Sequence, residues 1–293
     1  KETMAKELRI GNDAVARGLY EGGVRVVSSY PGTPSTEITE FISTYDDVYS
    51  EWAPNEKVAA EVALGAAIAG ARAFCGMKHV GLNVASEPVF TGSYTGVNAG
   101  WVIAVADDPG MHSSQNEQDS RHYAIGAKVP MLEPADSQEA YTFARSAFEL
   151  SEKFDTPVIL RICTRIAHSQ SVVETAEVIP AVLKDYEKNP AKYIMMPGNA
   201  IKRHPLVEDR TLSLQEFAEN CEYNTVEMNS TEIGIITSGC SYHYVKEVMG
   251  DTASVLKIGM SYPLPVKLIK EFASKVKTLY VIEELDPFIE NHV

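Results

Sequence analysis

Side chains able to do chemistry gather in a few stretches of this sequence. The segment Ser28 to Ile38, SSYPGTPSTEI, runs a strand end into a turn and a helix start, which sets the Thr33 hydroxyl and the first helical amides at the strand's carboxyl end. Such a place suits an anion. A well-capped turn explains Thr33 and Pro34 equally. Glu56 follows Asn55, a possible cap, at the first turn of a small-residue helix. By position alone it is as well a surface acid that complements the helix macrodipole. Lys78 and His79 follow a further strand. The run from Asp107 to Tyr123 packs Asp, His, Ser, Gln, Asn, Glu and Arg around Pro109-Gly110, with His112 and Arg121 among its cations. A polar, irregular loop at a strand's carboxyl end is where open α/β sheets bind ligands. Arg121 and His122 are equally able to pair with Asp119 or Asp108 on a surface. Cys75, Cys163, Cys221 and Cys240 are widely separated, with no CxxC spacing, so the usual iron-sulfur and structural-zinc patterns are absent.

The elements that must position these groups alternate. From about Gly11 to Ala167, short β-branched runs alternate with helix-length segments, the pattern of βα units in a parallel sheet. The expected strands are Val24 to Ser28, Val48 to Trp52, Ala73 to Met77, Trp101 to Ala106, Pro130 to Leu132 and Pro157 to Arg161. Helices are expected to begin near Asn12, Pro34, Asn55, Asn83, Gln118 and Ser137. Gly65 and Gly70 each cost their helix about 1 kcal/mol relative to Ala, which close packing would offset.

The chain divides on this reading into a first domain over 1–170, a linker with an excursion over 171–230, and a second α/β domain over 231–293. The linker holds Pro180, Pro190, Pro197 and Pro205 and one helix around Ser213 to Cys221. The second domain reads as strand EIGIITSG, helix SYHYVKEVM, strand ASVLKIG, a Pro263/Pro265 loop, helix VKLIKEFASKV and strand TLYVIEE. PFIENHV looks like the start of another helix, as if the chain ended inside a larger protein.

Composition narrows the function classes. A formal charge of -14 over 293 residues argues against a nucleic-acid surface. No apolar run reaches the roughly 18 residues a membrane span needs, and the polar opening KETMAKELRIGND lacks a secretory core. A cytoplasmic location is the natural expectation.

An acid followed by Gly65 and Gly70 in an Ala-rich helix, with Thr33 of YPGTPS upstream, resembles the pyrimidine-binding domain of the pyruvate and 2-oxoacid ferredoxin oxidoreductases, which depend on thiamine diphosphate. MKHVGLNVASEP, ADDPGMHSSQNEQDSRHYA, LEPADSQEAY and TRIAHS resemble the indolepyruvate-type alpha subunits of that family. The likeness covers most of 9–168 and is weaker over 232–293. It implies an α/β fold, with a parallel-sheet pyrimidine-binding domain followed by a second α/β domain like the transketolase C-terminal domain.

The resemblance also implies roles. Glu56 would hydrogen-bond the cofactor's pyrimidine ring and share a proton with it, with Tyr30 and Pro31 as further cofactor contacts and Thr33 as a substrate contact. An arginine that pyruvate-using relatives carry before the strand Trp101 to Ala106 has no counterpart, since no basic residue lies between Glu87 and Trp101. Lys78, His79, His112 and Arg121 are the candidates left for the substrate carboxylate. The diphosphate signature GDG is absent, as Gly250-Asp251 runs into Thr252, so Mg2+ is expected outside this chain, and with no ferredoxin-like cysteine cluster the [4Fe-4S] clusters are expected there too. The implied activity is oxidative decarboxylation of an aryl 2-oxoacid such as indolepyruvate to an acyl-CoA. Its partners would be the 2-oxoacid, coenzyme A, ferredoxin, a beta subunit and further alpha subunits in a homo-oligomer; this piece alone would be inactive. An aliphatic or branched 2-oxoacid is the alternative within the family. A non-catalytic α/β binding module is the alternative outside it, weakened by the lack of GxGxxG and P-loop motifs.

Overall fold

Strands buried along almost their whole length and mostly apolar must be covered on both faces, and three such strands form the centre of the protein. They are β4 (Ala73–Lys78), β5 (Trp101–Asp107) and β7 (Val158–Cys163), in a computed structural model that describes residues 5–180 and 182–293. β2 (Val26–Ser29) and β3 (Tyr49–Trp52) extend this sheet on one side and β6 (Met131–Leu132) on the other, all parallel. The order is β3-β2-β4-β5-β7-β6, closed by an antiparallel seventh strand, β12 (Met260–Tyr262), that arrives from far along the chain.

Helices cover both faces. α1 (Gly11–Glu21), α2 (Thr36–Ile42) and α6 (Ser137–Phe154) bury Val15, Leu19, Ile38, Phe143 and Phe148 on one. α3 (Glu56–Ala69), α4 (His79–Thr95) and α5 (Arg121–Ala127) bury Ala59, Ala63, Leu82 and Val89 on the other. The small residues of α3 let it lie close to the sheet. Gly65, however, faces open space; a Cβ there meets nothing within 4 Å, so close packing within this chain does not explain it. Gly70 ends the helix at φ +105°, where a Cβ would strike the Lys184 carbonyl.

The expected strands fall where the sequence placed them, to within two residues at their ends. α4 begins at His79, ahead of the expected Asn83 and directly off β4, because it has no side-chain cap to announce it. α2 and α5 instead start later than Pro34 and Gln118, at Thr36 and Arg121.

The stretch over 171–230 holds more structure than the sequence suggested. β8 (Gln170–Thr175) pairs antiparallel with β1 (Ala5–Ile10). α8 (Pro190–Tyr193) is a single turn, and α9 runs from Pro197 to Ala218. The helix expected at Ser213 to Cys221 is thus the end of a 22-residue helix that starts at a proline in its first turn and tolerates Pro205 inside. α9 straps the first sheet's helical layer. Arg210 reaches the carbonyls of Asp155 and Ser93 and the Ser93 hydroxyl, while Leu214 and Ala218 join the core.

Beyond it, β10 (Ile233–Ser238), β11 (Ser254–Ile258) and β13 (Thr278–Ile282) form a second parallel sheet, edged by antiparallel β9 (Thr225–Glu227). α10 (Ser241–Met249) and α11 (Val266–Ser274) lie between its strands in sequence. The Pro263/Pro265 loop is preceded by β12, which leaves this sheet to pair with β6 of the first. The expected helix at PFIENHV is only a short 3₁₀ turn, Glu290–His292.

Charge joins the two sheets. Arg121, with no solvent exposure, donates to Asp119 at 2.6 Å, to Glu283 at 2.7 Å and to the carbonyls of Glu284 and Asp286. Arg161, on β7, donates to Asp107 at 2.7 Å and to Glu133. Removing one partner of such a buried pair leaves an uncompensated charge, at about 3–5 kcal/mol. Arg121→Met should therefore lower the unfolding free energy by that amount, read from urea denaturation. A loss under about 1 kcal/mol would mean that the two sheets do not depend on this contact.

Candidate active site

Parallel strands deliver their following loops to one edge. β3, β2, β4, β5 and β7 end at Trp52, Ser29, Lys78, Asp107 and Cys163, so the candidate residues lie along one line above the sheet. Asn55 caps α3, its Oδ1 accepting from the Val58 amide at 3.0 Å, and this fixes Glu56 at the first turn. The Glu56 carboxyl is half-buried and has no hydrogen-bonded or ion-paired partner among the described residues. It rests against Gly81 of α4, where a Cβ would stand 2.6 Å from Oε1. The space for this acid exists because residue 81 has no side chain. Lys57, by contrast, turns outward to Glu61 and Glu87, leaving Glu61 a surface partner.

On the neighbouring strand, the turn after β2 is tied by the Gly32 amide donating to Thr36 Oγ1 and by Asn12 donating to the Pro34 carbonyl. Thr36, and not Thr33, serves the turn. Thr33 stays exposed beside exposed Tyr30 and Pro31. Lys78 lies across Gly32, where a Cβ would stand 3.0 Å from its Cδ, and donates to the Ser113 carbonyl at 2.9 Å. His79 is wholly buried and its Nε2 meets the Asn116 carbonyl at 3.1 Å, so it anchors the polar loop and offers no surface to a soluble anion.

That loop is braced from below. Asp108 accepts from the Thr164 hydroxyl at 2.7 Å and from the Ser113 amide and Ser114 hydroxyl at 2.8 Å. Burial pushes its carboxyl up, but these bonds and the His112 amide outweigh burial and hold it at about 2. Asp107 accepts from the Ser120 amide and hydroxyl as well as from Arg161. Arg121 must be withdrawn as a substrate contact: its guanidinium is buried and bonded on every nitrogen. His112 lines a cavity of about 410 Å³ with Pro109, Cys163, Thr164, Arg165, His168 and Glu284. Arg165 and His168, both exposed, were missed by sequence reasoning, although TRIAHS follows β7 where ligand-binding loops occur. Glu56, beyond β4 and β2, does not line this cavity.

Two thiols meet beside it. Cys163 and Cys240 stand 3.7 Å apart, sulfur to sulfur. Hydrogen bonding to Cys240 holds the Cys163 thiol below the usual range against the cost of burial, while Cys163, burial and the Glu284 carboxylate push Cys240 up.

No helix among the described residues is long and apolar enough to cross a membrane. The sequence profile described as "Pyruvate flavodoxin/ferredoxin oxidoreductase, thiamine diP-bdg" matches residues 17–233. The indolepyruvate oxidoreductase subunit IorA of Archaeoglobus fulgidus is 43% identical over 98% of this chain and 48% of its own length, and that of Methanothermobacter marburgensis is 45% identical over 97% and 47%. The chain thus spans about half the length of the curated relatives it matches. Among solved structures, a 2-oxoglutarate:ferredoxin oxidoreductase from Magnetococcus marinus superposes with a TM-score of 0.80 at 20% identity, over 94% of this chain and 57% of that one. A split-gene transketolase superposes at 0.58 and 17% identity, over 94% and 79%. These two agree in fold, and the profile spans both the Glu56 helix and the polar loop: the chain belongs to the pyruvate flavodoxin/ferredoxin oxidoreductase family, in its thiamine-diphosphate-binding part.

Proposed function

We propose that this chain holds the pyrimidine end of thiamine diphosphate in a 2-oxoacid:ferredoxin oxidoreductase of the indolepyruvate type, which converts an aryl 2-oxoacid to its acyl-CoA. The observation that carries the reading is the Glu56 carboxyl: half-buried, unpaired among the described residues and seated over Gly81. A carboxyl kept free of internal partners in a space made by a missing Cβ fits a ring nitrogen that must share a proton with it. The cofactor supplies the electron sink for decarboxylation. Glu56 holds or passes the proton at its carboxyl oxygen. Tyr30, Pro31 and Thr33 stand exposed on the adjoining turn to position ring and substrate.

For the substrate carboxylate, Lys78 and His112 remain from the sequence-based set, joined by Arg165 and His168 at the cavity. Mg2+, the diphosphate contacts, the [4Fe-4S] clusters and the docking of coenzyme A, ferredoxin and a beta subunit belong to the rest of the assembly. Exposed Tyr30, Trp52 and Val84, on the segments around Glu56, suit burial by another alpha subunit. A cytoplasmic location accords with this chemistry and with the four free cysteines. A domain division near 170 and 231 follows the two parallel sheets only in part, since β12 returns to the first sheet and β9 of the second lies before 231.

In the assembled oxidoreductase, Glu56→Gln should remove turnover while leaving the thermal midpoint within a few degrees. Gly81→Ala should do the same by displacing the carboxyl. Near-normal turnover in both would refute the role. Alanine at Lys78, His112, Arg165 or His168 should raise the KM for the 2-oxoacid several-fold with thiamine affinity unchanged; if all four leave KM unmoved, the carboxylate is bound elsewhere. The isolated chain, titrated with thiamine diphosphate and Mg2+ by calorimetry, should give no more than weak binding. Micromolar or tighter binding by a monomer would place a complete cofactor site within these 293 residues.

A further inference from the structure

Cys163 closes β7 of the first sheet and Cys240 precedes α10 in the second, so the two thiols belong to separate layers of the molecule. They nevertheless approach to 3.7 Å, and Cys240 Sγ lies 3.0 Å from Glu284 Oε2, just past β13. All three donor atoms lie within 4.8 Å of one another. We propose that Cys163, Cys240 and Glu284 bind one thiophilic divalent cation, zinc in the first instance, as a staple between the two sheets. The proposal does not depend on the thiamine reading.

The spacing carries it. Two thiolates at about 2.3 Å from a tetrahedral zinc ion stand about 3.8 Å apart, and a thiolate and a carboxylate oxygen about 3.5 Å apart. The sulfur pair already has that separation, and the Glu284 oxygen, 3.0 Å from Cys240 Sγ, needs to move about half an ångström away from that sulfur. A disulfide would require the sulfurs to close to about 2.05 Å. Donor chemistry agrees, because two soft sulfurs with one carboxylate select zinc-like ions over calcium or magnesium.

Access agrees as well. The two cysteines are 6% and 4% exposed, whereas Glu284 is half-buried and lines the cavity with Cys163. An ion can enter from the cavity and keep a fourth position there for water, the arrangement of an open zinc site. Binding is a substitution without redox change: two S–H bonds break and two protons leave to buffer, the hydrated ion gives up metal–water bonds to bulk water, and two metal–sulfur bonds and one metal–oxygen bond take their place. The spacing of the cysteines in sequence hides this site, since the ligands sit 77 and 44 residues apart and meet only when the sheets dock.

The test uses the 293-residue chain, reduced and freed of metal, titrated with zinc against a chromophoric chelator and separately with cobalt(II). We expect one equivalent bound, about two protons released per zinc, and sulfur-to-cobalt charge-transfer absorption. Cys163→Ser and Cys240→Ser should each lower zinc affinity at least tenfold and abolish the metal-dependent rise in thermal midpoint, and Glu284→Gln should lower it less. Cys75→Ser, on β4, should bind as the parent does. X-ray absorption on the zinc-loaded parent, which needs no variant to fold, should show two sulfur neighbours at about 2.3 Å. Substoichiometric binding, a zinc shell without sulfur, unchanged affinity in both serine variants, or a Cys163–Cys240 disulfide in the chain as isolated would each overturn the proposal.

Discussion

Two guanidinium groups cut off from water set the geometry at the carboxyl edge of the first sheet. Arg161 gathers Asp107 and Glu133, and Arg121 gathers Asp119 and Glu283, so two cations organise four acids from strand ends and loops, Glu283 lying 162 residues from its cation. Buried ion pairs of this kind add little net stability over a well-packed apolar equivalent, yet each fixes partners in direction as well as distance. The surplus negative charge is met by donors: the Ser120 amide and hydroxyl at Asp107, and the amides of Ile289 and Glu290 at Glu283. The polar loop after β5 can therefore be long and lack regular structure while remaining in one place. The second sheet is registered against the first by the same groups, since Arg121 also takes the carbonyls of Glu284 and Asp286.

At the other end of that edge the logic is reversed. Around Glu56 the structure supplies space instead of partners. A small-residue helix lies close to the sheet, a glycine stands opposite the carboxyl, and aromatic and aliphatic side chains nearby face outward. One part of the line is closed by its own partners, and the other leaves a carboxyl without one among the described residues.

How much of this could be read beforehand depends on the range of the forces involved. β4, β5 and β7 were legible because burial on both faces leaves short, mostly apolar runs, in β7 despite Arg161, and α3 because Asn55 is a local cap signal. Glu56 and the polar loop were legible as candidates for the same local reason. The pairing of Leu8 with Val172 was not, nor that of Met260 with Leu132, since such short strands are specified by distant partners. α9 was foreshortened because prolines read as punctuation, whereas Pro197 sits where a missing amide costs nothing. Arg121 was misjudged because the sequence shows its charge but not its burial. Gly81 carried no signal until Glu56 was seen resting against it.

The β12 crossover bears on how the molecule can be cut. A division near residue 230 looks natural in the sequence, yet Met260–Tyr262 supplies the last strand of the first sheet. Severed there, the amino-terminal piece would expose the hydrogen-bonding edge of β6, next to the fully buried β7. An uncovered edge of this kind invites strand addition from neighbouring chains and aggregation. A soluble minimal fragment must therefore carry β12, and with it the chain that leads there, or blunt the edge of β6 with a charge or a proline.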